Sequence, residues 1–167
     1  MNFLTRLTHN DQKSENFALN PEIKSKLLKV AALKPRVVVF SGSDISGKTM
    51  AAELLGMNQN MEVYRIDLSA VVSKYIGETE KNLDKVFKAA EASDAILFFD
   101  EADALFGKRS EVRYAHDRYA NSEISCLLQI IENYKKLIIF SFNESNDKNE
   151  KFIRRFNSTI NFPPAKA

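Results

Sequence analysis

Short apolar runs alternate along this chain with longer segments of helical character. The apolar runs lie at residues 36–40, 61–68, 95–99, 137–142 and 158–162. The helical segments lie at residues 21–34, 48–55, 80–92 and 119–134. Runs rich in β-branched and aromatic residues predict buried strands, whereas apolar residues spaced three or four apart predict amphipathic helices. Continuous apolar strands that alternate with helices favour an α/β fold, in which helices cover both faces of a parallel five-stranded sheet.

The composition narrows the class of protein. A chain of 167 residues with 44% hydrophobic residues can form one domain with an adequate core. The formal net charge is only +2, so the charge balance disfavours a dedicated nucleic-acid binder. Cys126 is the single cysteine and cannot form an internal disulfide, and one cysteine with two histidines argues against a zinc site. No run resembles a signal peptide or a membrane span, so we expect a soluble cytoplasmic protein with no membrane partner.

Residues 40–50 (FSGSDISGKTM) have the spacing of a phosphate-binding loop, because Gly42 is followed after four residues by Gly47, Lys48 and Thr49. The predicted strand before the loop and the predicted helix after it supply the context that this motif requires, and they disfavour a chance glycine-rich turn. Lys48 would bridge β- and γ-phosphate oxygens, and the Thr49 hydroxyl would bind Mg²⁺. The residues expected to contact the nucleotide are Gly42, Ser43, Asp44, Ile45, Ser46, Gly47, Lys48, Thr49 and Met50.

Two adjacent carboxylates, Asp100 and Glu101, end the apolar strand at residues 95–99. Asp100 can hold Mg²⁺ through water, and Glu101 can act as general base on an attacking water molecule. A solvated acidic pair is the ordinary alternative. We favour the catalytic interpretation because both motifs follow strands at the carboxyl edge of one sheet, where open α/β sheets bind ligands.

Four further stretches make the chain similar to the AAA+ ATPases. Residues 100–106 (DEADALF) resemble the Walker B region of that family, and residues 74–83 (KYIGETEKNL) resemble its first pore loop. Asn143 follows an apolar strand, as in the sensor-1 strand, and residues 152–156 (FIRRF) resemble the arginine-finger segment. The resemblance extends from about residue 17 to 164 and implies a P-loop NTPase fold of the AAA+ type.

The resemblance also implies a division of the chain. Residues 1–19 would form a loosely held N-terminal arm, and residues 20–164 the large nucleotide-binding subdomain. The helical lid that follows in this family is absent, and residues 165–167 would be its truncated start. Either the sequence is a fragment, or the gene is short and another chain completes the site.

Family members work as rings, usually hexamers, with ATP and Mg²⁺ at each subunit boundary. By this resemblance, Asn143 would orient the attacking water or sense the γ-phosphate. Arg154 and Arg155 would reach into the neighbouring subunit's site and stabilise charge in the transition state, where such fingers contribute about 10³–10⁵ in rate. The alternative for the two arginines is an ordinary exposed pair.

Lys74, Tyr75, Ile76 and Gly77 would form the pore loop, with Tyr75 gripping an extended protein client. The alternative is that Tyr75 packs on the helix after it. Residues 107–121 could form a second pore loop or a surface turn, and the sequence leaves this open.

A finer similarity concerns the HDRYAN stretch at residues 116–121 and the arginine segment. Both are similar to AAA+ ATPases encoded with bacterial contractile injection systems. That similarity would make the client a phage-tail-like particle or one of its assembly factors.

One residue departs from the family pattern inside the phosphate loop. Ile45 lies where the family usually has a glycine that adopts positive φ. If the same φ is needed here, the strain would cost about 1–3 kcal/mol and slow turnover. The sequence therefore predicts ATP hydrolysis that powers protein remodelling or threading, and the alternative is a non-catalytic or partner-dependent ATP-binding subunit.

Overall fold

The computed structural model describes residues 3–7, 19–75, 77–106, 115–143 and 147–164, and of residues 115–122 only the helical backbone. The strands are β1 (Leu4–Leu7), β2 (Val37–Ser41), β3 (Val63–Asp67), β4 (Ile96–Asp100), β5 (Ile138–Phe142) and β6 (Thr159–Asn161). The α-helices are α1 (Pro21–Ala32), α2 (Ile45–Gln59), α3 (Leu68–Val71), α4 (Glu78–Ser93), α5 (Ala115–Asn133) and α6 (Asp147–Ile153). A short 3₁₀ helix spans Ala102–Leu105.

The six strands form one sheet in the order β1-β3-β4-β5-β2-β6. Strands β2 to β6 run parallel to one another, which confirms the predicted parallel core. The strand count was wrong, because β1 adds a sixth strand antiparallel to β3, with Leu4 opposite Ile66 and Leu7 opposite Val63. This strand has only four residues, and none of them is fully buried. An edge strand of this kind needs no continuous apolar run, so the sequence pattern did not reveal it.

Both faces of the sheet are covered, as predicted. Alternate residues of each strand point to opposite faces. Val39 and Phe140 lie on the face that packs against α4 and α5, whereas Val38 and Phe98 lie on the face that packs against α1 and α2. All four of these side chains are buried. The sheet is therefore a rigid support for the loops at its carboxyl edge.

The boundaries of α2 differ from the prediction. The helix starts at Ile45 rather than Lys48, and it continues through Gly56 to Gln59. Asn60 ends the helix in the left-handed conformation, with φ of 53°, and asparagine tolerates this conformation well. Gly56 is buried inside the helix instead of ending it.

The apolar character of the helices bears on membrane insertion. Within the described ranges, none of the helices combines the length and the hydropathy that crossing a membrane requires.

Candidate active site

The candidate site lies where three central strands end. In the strand order, β5 lies between β4 and β2. Because the three strands are parallel, the loops that follow them leave the sheet at the same edge. The phosphate-loop residues, the acidic pair and Asn143 are therefore brought together there.

Gly42 begins the phosphate loop in a conformation that requires glycine. Its φ is 117°, which L side chains rarely adopt. A Cβ atom on Gly42 would lie 2.0 Å from the carbonyl oxygen of Phe162. The Gly42 N–H also donates to the Phe142 carbonyl oxygen at 3.0 Å. The first glycine of the motif thus lets the loop pass close to the backbone on both sides of β2.

Asp44 caps α2, and Ile45 is the first residue of the helix. Asp44 Oδ1 accepts a hydrogen bond from the Gly47 N–H at 3.0 Å. Ile45 is not among the residues with positive φ, so the condition under which we expected strain at this position is not met in the structure. The Asp44 cap explains the difference, because it starts the helix early and gives Ile45 a helical backbone. The Thr49 hydroxyl then donates to the Ile45 carbonyl oxygen at 3.1 Å.

Lys48 is buried, with 1% of its surface exposed. Its Nζ donates to the Phe142 carbonyl oxygen at 3.2 Å and to Asn143 Oδ1 at 2.5 Å. Burial lowers the pKa of Lys48, and the negative charges of nearby carboxylates, with Asp100 the largest contributor, oppose that change. Its ammonium group is therefore held by one carbonyl and one amide oxygen within a field of negative charge.

Asn143 joins this lysine to the acidic pair. Its Nδ2 donates to Glu101 Oε2 at 3.1 Å, while its Oδ1 accepts from Lys48. Glu101 has a left-handed backbone with φ of 55°, and strained conformations of this kind are frequent at functional sites. A continuous hydrogen-bonded line therefore connects Lys48, Asn143 and Glu101.

Asp100 is buried, with 4% exposed, and both of its carboxylate oxygens have partners. Oδ2 accepts from Arg65 Nε at 2.9 Å and lies 2.8 Å from Arg65 Nη2. Oδ1 accepts from the Glu101 N–H at 2.9 Å. The orientation of this carboxylate is fixed by the neighbouring strand β3 and by its own backbone.

Three further residues shape the site although the sequence motifs did not indicate them, namely Arg65, Asp103 and Asn149. Asp103 Oδ2 accepts from the Asn143 N–H, and its Oδ1 accepts from Asn149 Nδ2, both at 2.8 Å. Arg65 could have been noticed in the sequence because it is a charged residue within the predicted strand at residues 61–68. Asp103 lies in the acidic run already noted, whereas nothing in the sequence marked Asn149, which is fully buried.

The remaining predicted site residues lie apart from this cluster. Arg154 and Arg155 are exposed just after α6, and within the described part of the chain neither guanidinium group has an ion-pair partner. Tyr75 is 61% exposed, and Lys74 Nζ lies 5.5 Å from the centre of its ring. Gly77 has a φ of 79° and caps α4. Ile76 and residues 107–114 lie outside the described residues.

Two cavities lie at opposite ends of the parallel strands. One of about 370 Å³ adjoins the phosphate loop, and its lining includes Gly42, Ser43 and Asn143. A larger one of about 670 Å³ lies at the other end, between the carboxyl ends of α1 and α2. The lining of the larger cavity includes Lys34, Arg36 and Lys136, which lie away from the phosphate loop. The smaller cavity is therefore the one beside the candidate site.

Comparison with known proteins agrees with this geometry. Residues 38–164 match the family described as ATPase family associated with various cellular activities (AAA). The chain is 34% identical over 124 residues to the ATPase family gene 2 protein of Schizosaccharomyces pombe, a match that covers 74% of this chain and 15% of that protein. It is 31% identical over 156 residues to the uncharacterized AAA family ATPase y4kL of Sinorhizobium fredii, covering 89% of this chain and 44% of that protein.

A third relative is the proteasome-activating nucleotidase of Methanococcus vannielii, which is 34% identical over 116 residues. The match covers 69% of this chain and 28% of that protein. The chain thus spans less than half the length of each of these relatives. The family match extends over most of the chain and includes the phosphate loop, the acidic pair and Asn143. This protein therefore belongs to the AAA family of ATPases, as the sequence resemblance predicted.

Proposed function

We propose that this chain binds ATP with Mg²⁺ at residues 42–50 and hydrolyses it, as the nucleotide-binding part of a ring that remodels or threads a protein client. The observation that carries the proposal is the hydrogen-bonded line from Lys48 through Asn143 to Glu101. This line joins a phosphate-binding cation to a carboxylate through a polar amide. A site that only bound nucleotide would have no need of the carboxylate.

The residues present fit magnesium. Mg²⁺ prefers oxygen ligands, and it is commonly bound by one or two protein groups together with substrate phosphates. Thr49 offers a hydroxyl, and Asp100 offers a carboxylate whose orientation is fixed by hydrogen bonds. When bound, the ion would neutralise charge on the phosphate oxygens.

The roles of the chain's own residues follow from their chemistry. Lys48 would offset negative charge on the phosphates, and Glu101 would orient the attacking water and accept its proton. Asn143 contacts both side chains and can transmit a shift of one to the other. Asp100 would hold Mg²⁺ through water, and Thr49 would supply its hydroxyl as a ligand.

The predicted site residues that lie outside the cluster around Lys48 would act in a ring of subunits. The exposed Arg154 and Arg155 would complete a neighbour's site, and the exposed Tyr75 with Lys74, Ile76 and Gly77 would contact a protein client. Relatives such as the proteasome-activating nucleotidase, whose name describes action on a protein machine, support a protein client over nucleic acid. The cytoplasmic location and the link to contractile injection systems stay predictions.

Substitution of Glu101 by glutamine tests the proposal. Glu101→Gln keeps an amide oxygen that can accept from Asn143 but removes the base, so kcat should fall about 10²–10⁴-fold while ATP binding is retained. The matched control is Glu91→Gln, an exposed glutamate on α4, which should keep wild-type turnover. Lys48→Ala should lose ATP binding itself. ATP binding is measured by calorimetry and turnover by phosphate release.

The outcomes separate the two functions considered. Equal turnover by Glu101→Gln and wild type would exclude Glu101 as the base. ATP binding that depends on Lys48, without turnover by the wild-type chain, would favour the non-catalytic or partner-dependent ATP-binding subunit.

A further inference from the structure

The groups assigned to phosphate and magnesium already make hydrogen bonds within the chain. The Gly47 N–H donates to Asp44, and Lys48 Nζ donates to Asn143. The Thr49 hydroxyl donates to a carbonyl oxygen of its own helix. Asp100 accepts from a guanidinium group. We propose that Asp44 is an internal competitor of the nucleotide, whose carboxylate must leave the amino end of α2 before phosphate can bind there.

The position of the Asp44 carboxylate carries this inference. Oδ1 lies 3.0 Å from the Gly47 nitrogen. A Cβ atom added to Gly47 would lie 2.3 Å from Oδ2, so the second oxygen covers the open face of the same residue. One N–H cannot donate fully to a carboxylate and to a phosphate at once, and the two anions repel each other. Binding of phosphate at Gly47 and this conformation of Asp44 therefore exclude each other.

Ile45 stabilises the same arrangement. It lies in the first turn of α2, where the Lys48 N–H donates to the Asp44 carbonyl oxygen at 3.1 Å. Its own carbonyl oxygen holds the Thr49 hydroxyl. A β-branched residue disfavours positive φ, so isoleucine favours the helical turn over a loop that wraps around a phosphate. A glycine would adopt either conformation readily. The side chain is 54% exposed, so it contributes little to the core.

This inference rests on the proposed function, because it concerns the same loop. It deepens that proposal by stating what regulates access to the site. Nucleotide would bind with the unwinding of one helical turn, and any contact that draws Asp44 away would raise the affinity. An ordinary helix cap would stabilise α2 without affecting the affinity for nucleotide.

The test compares by calorimetry the affinity for ADP, without magnesium, of wild type, of four variants at Asp44 and Ile45, and of Lys48→Ala. Asp44→Ala removes both cap and charge and should bind ADP about tenfold more tightly or better. Asp44→Asn keeps an oxygen that can cap the helix, so its affinity for ADP should lie between those of wild type and Asp44→Ala. Ile45→Gly should also tighten binding, whereas Ile45→Ala, a good helix former, should not.

Thermal unfolding without ligand supplies the second readout. Asp44→Ala and Ile45→Gly should unfold at lower temperature than wild type, because the first loses a cap and the second places glycine in a helix. We therefore expect Asp44→Ala and Ile45→Gly to bind ADP more tightly than wild type although they are less stable. A cap with a merely structural role would lower the unfolding temperature when it is removed, without tightening ADP binding.

Failure of this inference is distinguishable from failure of the proposed function. If Lys48→Ala abolishes ADP binding while Asp44→Ala binds no tighter than wild type, only the competitor role is overturned. If neither wild type nor Asp44→Ala binds ADP, both proposals are overturned. If Asp44→Ala does not fold, equal ADP affinities of Ile45→Gly and Ile45→Ala overturn the inference.

Discussion

Tyr134 is a buried tyrosine whose ionisation should lower the stability of the fold at alkaline pH. The side chain is 5% exposed, and its hydroxyl donates to the Ala95 carbonyl oxygen. Burial, followed by the negative charge of Asp94, raises the pKa of Tyr134 to about 12. In the unfolded chain a tyrosine ionises near pH 10. The folded state therefore holds a proton that the unfolded state has lost between those two values.

The predicted consequence is a loss of roughly 2–3 kcal/mol in the free energy of unfolding as the pH rises from 10 to 12. Tyr134→Phe should lack this component, although it should be less stable at neutral pH because one hydrogen bond is lost. Urea unfolding at a series of pH values measures this change in the free energy of unfolding. Tyr64→Phe, at a more exposed tyrosine on β3, is the control and should keep the wild-type dependence. The same pH dependence in Tyr134→Phe and wild type would contradict the assignment.

The spacing of residues in a motif predicted where the functional residues lie. It did not predict which local hydrogen bonds those residues make in the folded chain. The spacing of Gly42, Gly47 and Lys48 located the phosphate loop correctly at the edge of the sheet. The condition for strain at Ile45, a positive φ, is not met, and the motif could not show this because it does not reveal that Asp44 caps α2 three residues before Gly47. The roles proposed for these residues stay predictions.

Among the elements, Asp103 holds the segment after β5 in place. It accepts the backbone N–H of Asn143 and the side-chain amide of Asn149 on α6. Asp103→Ala would leave both donors without this acceptor, which should cost about 1–3 kcal/mol of stability. It should also lower turnover, because Asn143 would lose its fixed position.

Denaturant unfolding and phosphate release measure the two effects of Asp103→Ala. Asp103→Asn retains one acceptor oxygen, so its stability and its turnover should lie between those of Asp103→Ala and wild type. Asp94→Asn is the control, because Asp94 is exposed and asparagine tolerates its left-handed backbone. Unchanged stability in Asp103→Ala would show that the two hydrogen bonds do not hold the segment.

The elements were predicted well where burial dictates the sequence. The five parallel strands are apolar because helices cover both faces of the sheet, and that composition is visible in the sequence. Strand β1 was missed because it is short and lies at an edge. The contact between Arg65 on β3 and Asp100 on β4 could not be predicted, since it depends on the order of strands in the sheet.

For the whole molecule, the fold class and the family are confirmed, and the assembly is a proposal. The cluster at the carboxyl edge includes Lys48, Asn143 and Glu101. Arg154 and Arg155 lie outside it. If Arg154 and Arg155 act in a neighbour's site, activity must depend on contact between subunits. Monomers at low concentration would then lack part of the catalytic machinery.

The steady-state rate of ATP hydrolysis per chain, measured against chain concentration with Lys48→Ala as background, decides whether this chain is an ATPase. We predict a rate above that background that rises with concentration, as sites are completed between subunits. A rate no higher than that of Lys48→Ala at every concentration would contradict the claim that this chain hydrolyses ATP.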